Sequence, residues 1–194
     1  MGTVHKTPIQ SFLLKTKVEQ HKEIKKKVVP LLNTGVSVKE IDHYFEDDVH
    51  ATDWHKGTDK ERPWVKALTP YLEKVLLDIT MGVGYDHFTI DDIWYQKYNQ
   101  NQTHGWHSHG SNFTGIYYIA YDEESPATEI VTPWNHEQQV KVDLEEGVLI
   151  TFPSHVIHRG PPVTNNKTKI IISFNWNMVN PSNACLLKLK HLYK

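Results

Sequence analysis

FTIDDIWYQKY, residues 88–98, is where the periodicity of this chain changes. β-Branched and aromatic residues dominate it, and similar short runs follow: TGIYYIAY (114–121), TEIVTP (128–133), QQVKVDL (138–144), GVLITFP (147–153) and KTKIIISFNWN (167–177). Each is about one strand long and bounded by turn residues. No helix-length pattern lies between them, which predicts an antiparallel sandwich or barrel rather than alternating βαβ units. CLLKLKHLY (185–193) alternates enough to add a further strand.

Upstream the pattern is helical. After an extended opening around PIQSFLL (8–14), EQHKEIKKKVVPLL (19–32) places Ile24, Val28 and Leu31 on one face and charges on the others. The basic run KEIKKK is therefore read as a solvated helix face, not a nucleic-acid patch. A second helix is predicted from GTDKERPW (57–64), with Thr58 or Asp59 as cap and Pro63 in the first turn. Leu68, Leu72, Val75, Leu76 and Ile79 continue it, and Pro70 predicts a kink or two abutting helices before MGVGYDH (81–87) ends it. The expectation is one domain over 1–194, with residues 1–87 as mostly helical support and 88–194 as a β-sandwich core.

Composition narrows the function classes. The chain has 194 residues, 39% hydrophobic and 23% charged, which fits a globular fold rather than disorder. With 21 basic and 23 acidic residues the net charge is -2, so neither a nucleic-acid nor an anionic-membrane partner is expected. Cys185 is the single cysteine, which excludes an intrachain disulfide and Cys-rich zinc motifs. The opening MGTVHKTPIQ has no apolar secretory core, and Lys6 argues against myristoylation at Gly2. An intracellular, soluble, cytoplasmic protein is the expectation.

The chemistry concentrates in HGWHSHGS (104–111). His107 and His109 are two apart, so on an extended segment they point the same way and can share a divalent metal. Alone, such a pair is more often a solvated loop. A third ligand changes that balance, and GVLITFPSHVIHRG (147–160) supplies a strand, a turn at Pro153, then His155 and His158. In a folded-back sandwich His158 can reach the pair. His104 and His155 rank below these three.

HSHGSNFTGIYYI, GVLITFPSHVIH and KIIISFN, in that order, resemble the non-haem Fe(II), 2-oxoglutarate-dependent oxygenases, especially small phage and bacterial prolyl-hydroxylase-like proteins. The resemblance runs from about residue 93 to 177. It implies a mainly β fold with N-terminal helices around a double-stranded β-helix (jelly-roll, cupin-like) core. It further implies ferrous iron, 2-oxoglutarate and O2 as reactants, and hydroxylation of a small-molecule or peptidyl substrate. The family's ligand set is His-x-Asp/Glu with a distal His. His107 matches the first position and His158 the distal one, while His109 stands where the carboxylate would be. Three readings of His109 stand: a third ligand, a bystander replaced by Asp122, Glu129 or no protein carboxylate, or part of a metal site without oxygenase chemistry. Histidine at 109 argues against a halogenase, which needs a small non-ligating residue there.

The resemblance also implies a cation for the distal carboxylate of 2-oxoglutarate, and Lys169 occupies that place. Ile171, Ser173 and Asn175 share its strand face by period two, with Ser173 the nearest polar neighbour. Tyr118 matches a family tyrosine that bonds the same carboxylate, although core packing explains a sheet tyrosine equally well. Tyr98, in preference to Tyr95, offers a further hydroxyl. Arg159 is expected to point the opposite way from His158. Trp94, Trp106, Trp134 and Trp176 line the pocket or seal the core. The turns DEESPAT (122–128) and PWNHEQQ (133–139) shape the entrance. Two alternatives compete: a cupin-like metalloprotein using no 2-oxoglutarate, which lacks the glutamate expected after HxH, and a non-catalytic binding protein.

Overall fold

The computed structural model describes residues 11–33, 35–37, 48–132 and 135–180. The final expected strand, Cys185, Trp134 and Gly2 lie outside them. Helix α1 spans His21–Val28, burying Ile24 and Val28, and a 3-10 turn over Val29–Leu31 follows. Helix α2 spans Pro63–Gly82 and buries Trp64, Val65, Leu68, Leu72 and Leu76. It is one helix rather than two, continuing through Pro70. Its N-cap is Arg62, not Thr58 or Asp59, because Pro63 already supplies the first helical residue.

The strands are β1 (Leu14–Lys17), β2 (Ala51–Thr52), β3 (His87–Tyr98), β4 (His104–His107), β5 (Phe113–Ala120), β6 (Glu129–Thr132), β7 (Asn135–Val140), β8 (Val148–Pro153), β9 (His158–Gly160) and β10 (Lys169–Val179). They form a six-stranded sheet, β1-β8-β5-β10-β3-β2, and a four-stranded sheet, β4-β9-β6-β7. Every pairing is antiparallel.

The mainly β architecture with N-terminal helices holds, as a mixed α/β arrangement. The double-stranded β-helix core does not. Among the described residues both sheets are open, bounded by β1 and β2 in one and by β4 and β7 in the other, with no ladder joining them into a barrel or jelly-roll. The strands that would carry the closure are short: β2 has 2 residues, β9 has 3 and β4 has 4. Such segments make too few ladder bonds to curl a sheet back on itself.

Strand alternation divides the core. From β10, Ile170, Ile172, Phe174 and Trp176 pack with Leu68, Leu72 and Leu76 of α2. The opposite face of the same strand sends Ile171 to join Tyr98, Ile116, Tyr118, Ile150 and Phe152. This second face looks away from the helices, toward the smaller sheet, where the polar chemistry is found. Gly115 of β5 faces Phe174, and a Cβ there would overlap that ring. A buried ion pair secures the start of α2. Asp53 accepts from Arg62 Nη1 at 2.5 Å, from Trp64 Nε1 at 2.8 Å and from the Tyr95 backbone N–H at 3.1 Å. Among the described residues no helix is long and apolar enough to cross a membrane.

Candidate metal centre

Register brings the histidines together. β4 and β9 pair with His107 directly opposite His158, so the two rings share one sheet face, their centroids 4.3 Å apart. His109 lies two residues beyond His107, past the end of β4. Its backbone N–H donates to Ser154 O at 2.9 Å, and the Ser154 N–H donates to Asn112 O at 3.0 Å. These bonds lash the segment after β4 to the turn after β8. The His109 ring then stands 5.0 Å from that of His107 and 5.2 Å from that of His158. Ring nitrogens of all three lie within 4.8 Å of one another, close enough to share a metal ion.

The electronic state of the rings suits a cation. His107 Nδ1 lies 2.8 Å from Gly105 O, and His158 Nδ1 lies 3.0 Å from Val156 O. A carbonyl only accepts, so each Nδ1 carries the proton and each Nε2 keeps its lone pair. Burial, then repulsion from His107, pushes His109 down to about 4. The same causes hold His158 well below its ordinary value. Neutral imidazole is the ligating form.

His104 belongs to the wall, not to the ligand set. It stacks on His107 with centroids 4.0 Å apart, and its Nδ1 meets Gln96 Nε2 at 3.0 Å. Burial takes His104 down to about 3. His155 is exposed. The carboxylates considered as substitutes for His109 are engaged elsewhere: Asp122 binds Lys167, and Glu129 accepts from Arg159 Nε at 2.7 Å.

The cluster opens on a narrow cleft between the sheets, lined by Trp94, Gln96 and Tyr98 of β3, Thr114 and Ile116 of β5, and Ile171 and Ser173 of β10. Ser173 Oγ donates to Gln96 Oε1 at 3.3 Å, linking the cleft wall to His104. Lys169 and Tyr118 do not line the cleft directly. They lie in the layer beneath it, behind Tyr98 and Thr128, which do. The Tyr118 hydroxyl is hydrogen-bonded to Thr128 Oγ1, and burial pushes its pKa up.

Lys169 is 2% exposed. Its Nζ sits 5.5 Å from the Tyr98 ring and 5.9 Å from those of Tyr118 and Tyr121. Its one hydrogen bond among the described residues runs to Pro126 O at 3.2 Å, and no carboxylate reaches it. Burial lowers its pKa to about 8.

Arg159 turns its side chain away from His158, as alternation along β9 predicts, and its guanidinium lies 4.7 Å over the exposed Trp106 ring. The short β9 pairs on both sides, which brings Arg159 opposite Glu129. Trp94 lines the cleft, whereas Trp176 is fully buried among the core residues. Sequence reasoning passed over Gln96 and Thr128. For Gln96 the available signal is an amide at an inward position of an otherwise apolar strand; Thr128 carries no such signal.

No family model matches this sequence, and no curated protein matches it. Solved structures do. The chain is 16% identical to the viral collagen prolyl hydroxylase of Paramecium Bursaria Chlorella virus-1 in its 2OG complex, with TM-score 0.53, covering 87% of this chain and 96% of that one. It is 9% identical to a Pseudomonas putida prolyl-4-hydroxylase, with TM-score 0.56, covering 85% and 92%. With the non-haem alpha-ketoglutarate-dependent epimerase SnoN from nogalamycin biosynthesis, identity is 8% and TM-score 0.61, covering 90% and 83%. The chain thus shares its fold with 2-oxoglutarate/Fe(II) oxygenase family members, viral and bacterial prolyl hydroxylases among them, and carries a three-histidine cluster.

Proposed function

We propose that this protein is an Fe(II)- and 2-oxoglutarate-dependent oxygenase that hydroxylates a small-molecule or peptidyl substrate, with a prolyl or other amino-acid group the favoured target. One observation carries the reading. Among the described residues the buried ammonium of Lys169 has no anionic partner and a single long hydrogen bond, and it sits behind the cleft that holds the three-histidine cluster. An ammonium in such a place is stabilised by a carboxylate arriving from outside.

The residues present fit both groups. His107, His109 and His158 would hold the iron through neutral nitrogens, leaving the remaining positions to exogenous ligands. Lys169 would receive the far carboxylate of 2-oxoglutarate, with Tyr98, Tyr118 and Ser173 as its polar surroundings. Bound there, iron and 2-oxoglutarate together would supply the oxidising power for placing one oxygen atom of O2 on a substrate carbon. The chain's own contribution is positional. The Gly105 and Val156 carbonyls fix the orientation of two ligand rings, Phe152 packs edge-on at 4.9 Å against His158, and Trp94 helps to close the cleft to water. The SnoN likeness supports the oxygenase class more than any one reaction, since that protein is an epimerase.

Succinate formation tests the proposal. Wild-type protein loaded anaerobically with Fe(II), given 2-oxoglutarate and then air, is expected to form succinate slowly even without substrate. His158→Ala and Lys169→Met are expected to abolish it. Metal binding without any 2-oxoglutarate binding would sink the proposal and favour a cupin-like metalloprotein.

A further inference from the structure

We propose that this protein retains its metal only as a pair with a dianionic chelating ligand, because the negative charge that a carboxylate ligand would fix in the protein is here brought in by the co-ligand. This inference rests on the function proposed above and deepens it.

The first ground is the ligand set. All three members of the cluster are imidazoles, and backbone carbonyls on Nδ1 of two of them leave Nε2 as the nitrogen that would meet a cation, so each would ligate without bringing negative charge. A divalent cation bound to them keeps its full charge. The second ground is where the negative charges lie. Asp122 and Glu129 are paired with Lys167 and Arg159, Asp91 accepts from Ser111 Oγ and Asn177 Nδ2, and Asp92 from Asn175 Nδ2. No described carboxylate belongs to the metal cluster. The third ground is Lys169, a buried cation behind the same cleft that no carboxylate among the described residues opposes.

A metal bound to the histidines would therefore be repelled by the Lys169 ammonium across a region of low dielectric, which weakens its binding. A dianion reaching from one to the other is attracted by both at once. Its binding free energy then includes a large term present only when the metal is there. By linkage, the metal's affinity depends on the dianion by the same factor. A carboxylate at position 109 would remove most of this dependence, since the metal would find its counter-charge already in place.

Mn(II), air-stable and visible by electron paramagnetic resonance, is a suitable probe. Its dissociation constant would be measured on the full chain alone, with saturating 2-oxoglutarate, and with succinate, which lacks the 2-oxo oxygen needed to chelate. For wild type, 2-oxoglutarate is expected to tighten Mn(II) at least 100-fold, and succinate less than tenfold. His109→Asp is expected to bind Mn(II) alone at least tenfold more tightly than wild type, with its coupling to 2-oxoglutarate reduced tenfold or more. Equal coupling in wild type and His109→Asp would overturn the inference while leaving the oxygenase reading intact. Failure to bind Mn(II) under any condition, or binding with no 2-oxoglutarate bound, would overturn both. Should His109→Asp not fold, wild type alone decides: Mn(II) held within tenfold as tightly without the dianion as with it overturns the inference.

Discussion

At the scale of single residues, Lys169 makes the sharpest demand on the fold. Its folded pKa of about 8 lies below the ordinary 10.5, so between those values the folded chain holds fewer protons than the unfolded one. Stability contributed through this group therefore rises with pH across that window, and below it the buried ammonium costs about 3 kcal/mol. Lys169→Met should gain about 2–3 kcal/mol at pH 7 by urea denaturation. It should lose the wild-type rise toward pH 10 and bind 2-oxoglutarate at least 100-fold more weakly. A variant less stable than wild type would show the lysine to be structural. Much at this scale was legible in the sequence. The spacing of His107 and His109 and the later His158 pointed to a shared site, with the part of His109 left open; the structure brings all three together, His109 through its bond to the turn after β8 rather than through strand alternation. The fate of Asp122 and Glu129 did not read out, since their partners Lys167 and Arg159 are 45 and 30 residues away. The layer separating Lys169 from the cleft depends in the same way on where the chain comes back.

At the scale of elements, two contacts hold the scaffold that aims the site. Asp53 gathers three donors beneath the start of α2, and removing it strands the Arg62 guanidinium in the interior. Asp53→Ala should cost about 3–5 kcal/mol, measured by chemical denaturation. Gly115 gives the Phe174 ring its room between β5 and β10. Gly115→Ala should destabilise by about 1–3 kcal/mol through overpacking. Replacing Phe174 with Leu in the same chain should recover part of that loss. The long strands β3, β5, β8 and β10 were legible because period-two alternation and β-branched residues are local properties. The strands β1, β2, β4 and β9 were not read as strands: with two to four residues each, they exist through their partners rather than their own propensity. The implied double-stranded β-helix failed for a related reason. Closure of a sheet is decided at its edges, and edge pairing leaves no periodic trace in sequence.

At the scale of the whole molecule, the cleft is where two open sheets meet. Three histidines of the smaller sheet and its adjoining turns lie on one side, and Tyr98, Ile171 and Ser173 of the larger sheet line the other, with Lys169 in the layer behind them. Ligands bound between them would join the two layers. Metal with 2-oxoglutarate, each at about 100 times its dissociation constant, should add at least about 2.7 kcal/mol. For a chain of this size that corresponds to a rise of about 5–10 °C in Tm. Differential scanning fluorimetry checks this, and His158→Ala should show no shift. A rise of equal size in that variant would place the ligands elsewhere.

The central position of β10 has a consequence for synthesis. It is the last of the described strands, yet it lies between β5 and β3 in the middle of the larger sheet. Until residues 169–179 have left the ribosome, β3 and β5 each present a bare inner edge, and the apolar faces on either side of the missing strand have nothing to close on. The nascent chain must wait with its two longest templates open, so any stall or truncation before β10 releases a sticky, half-built sheet rather than a smaller folded protein.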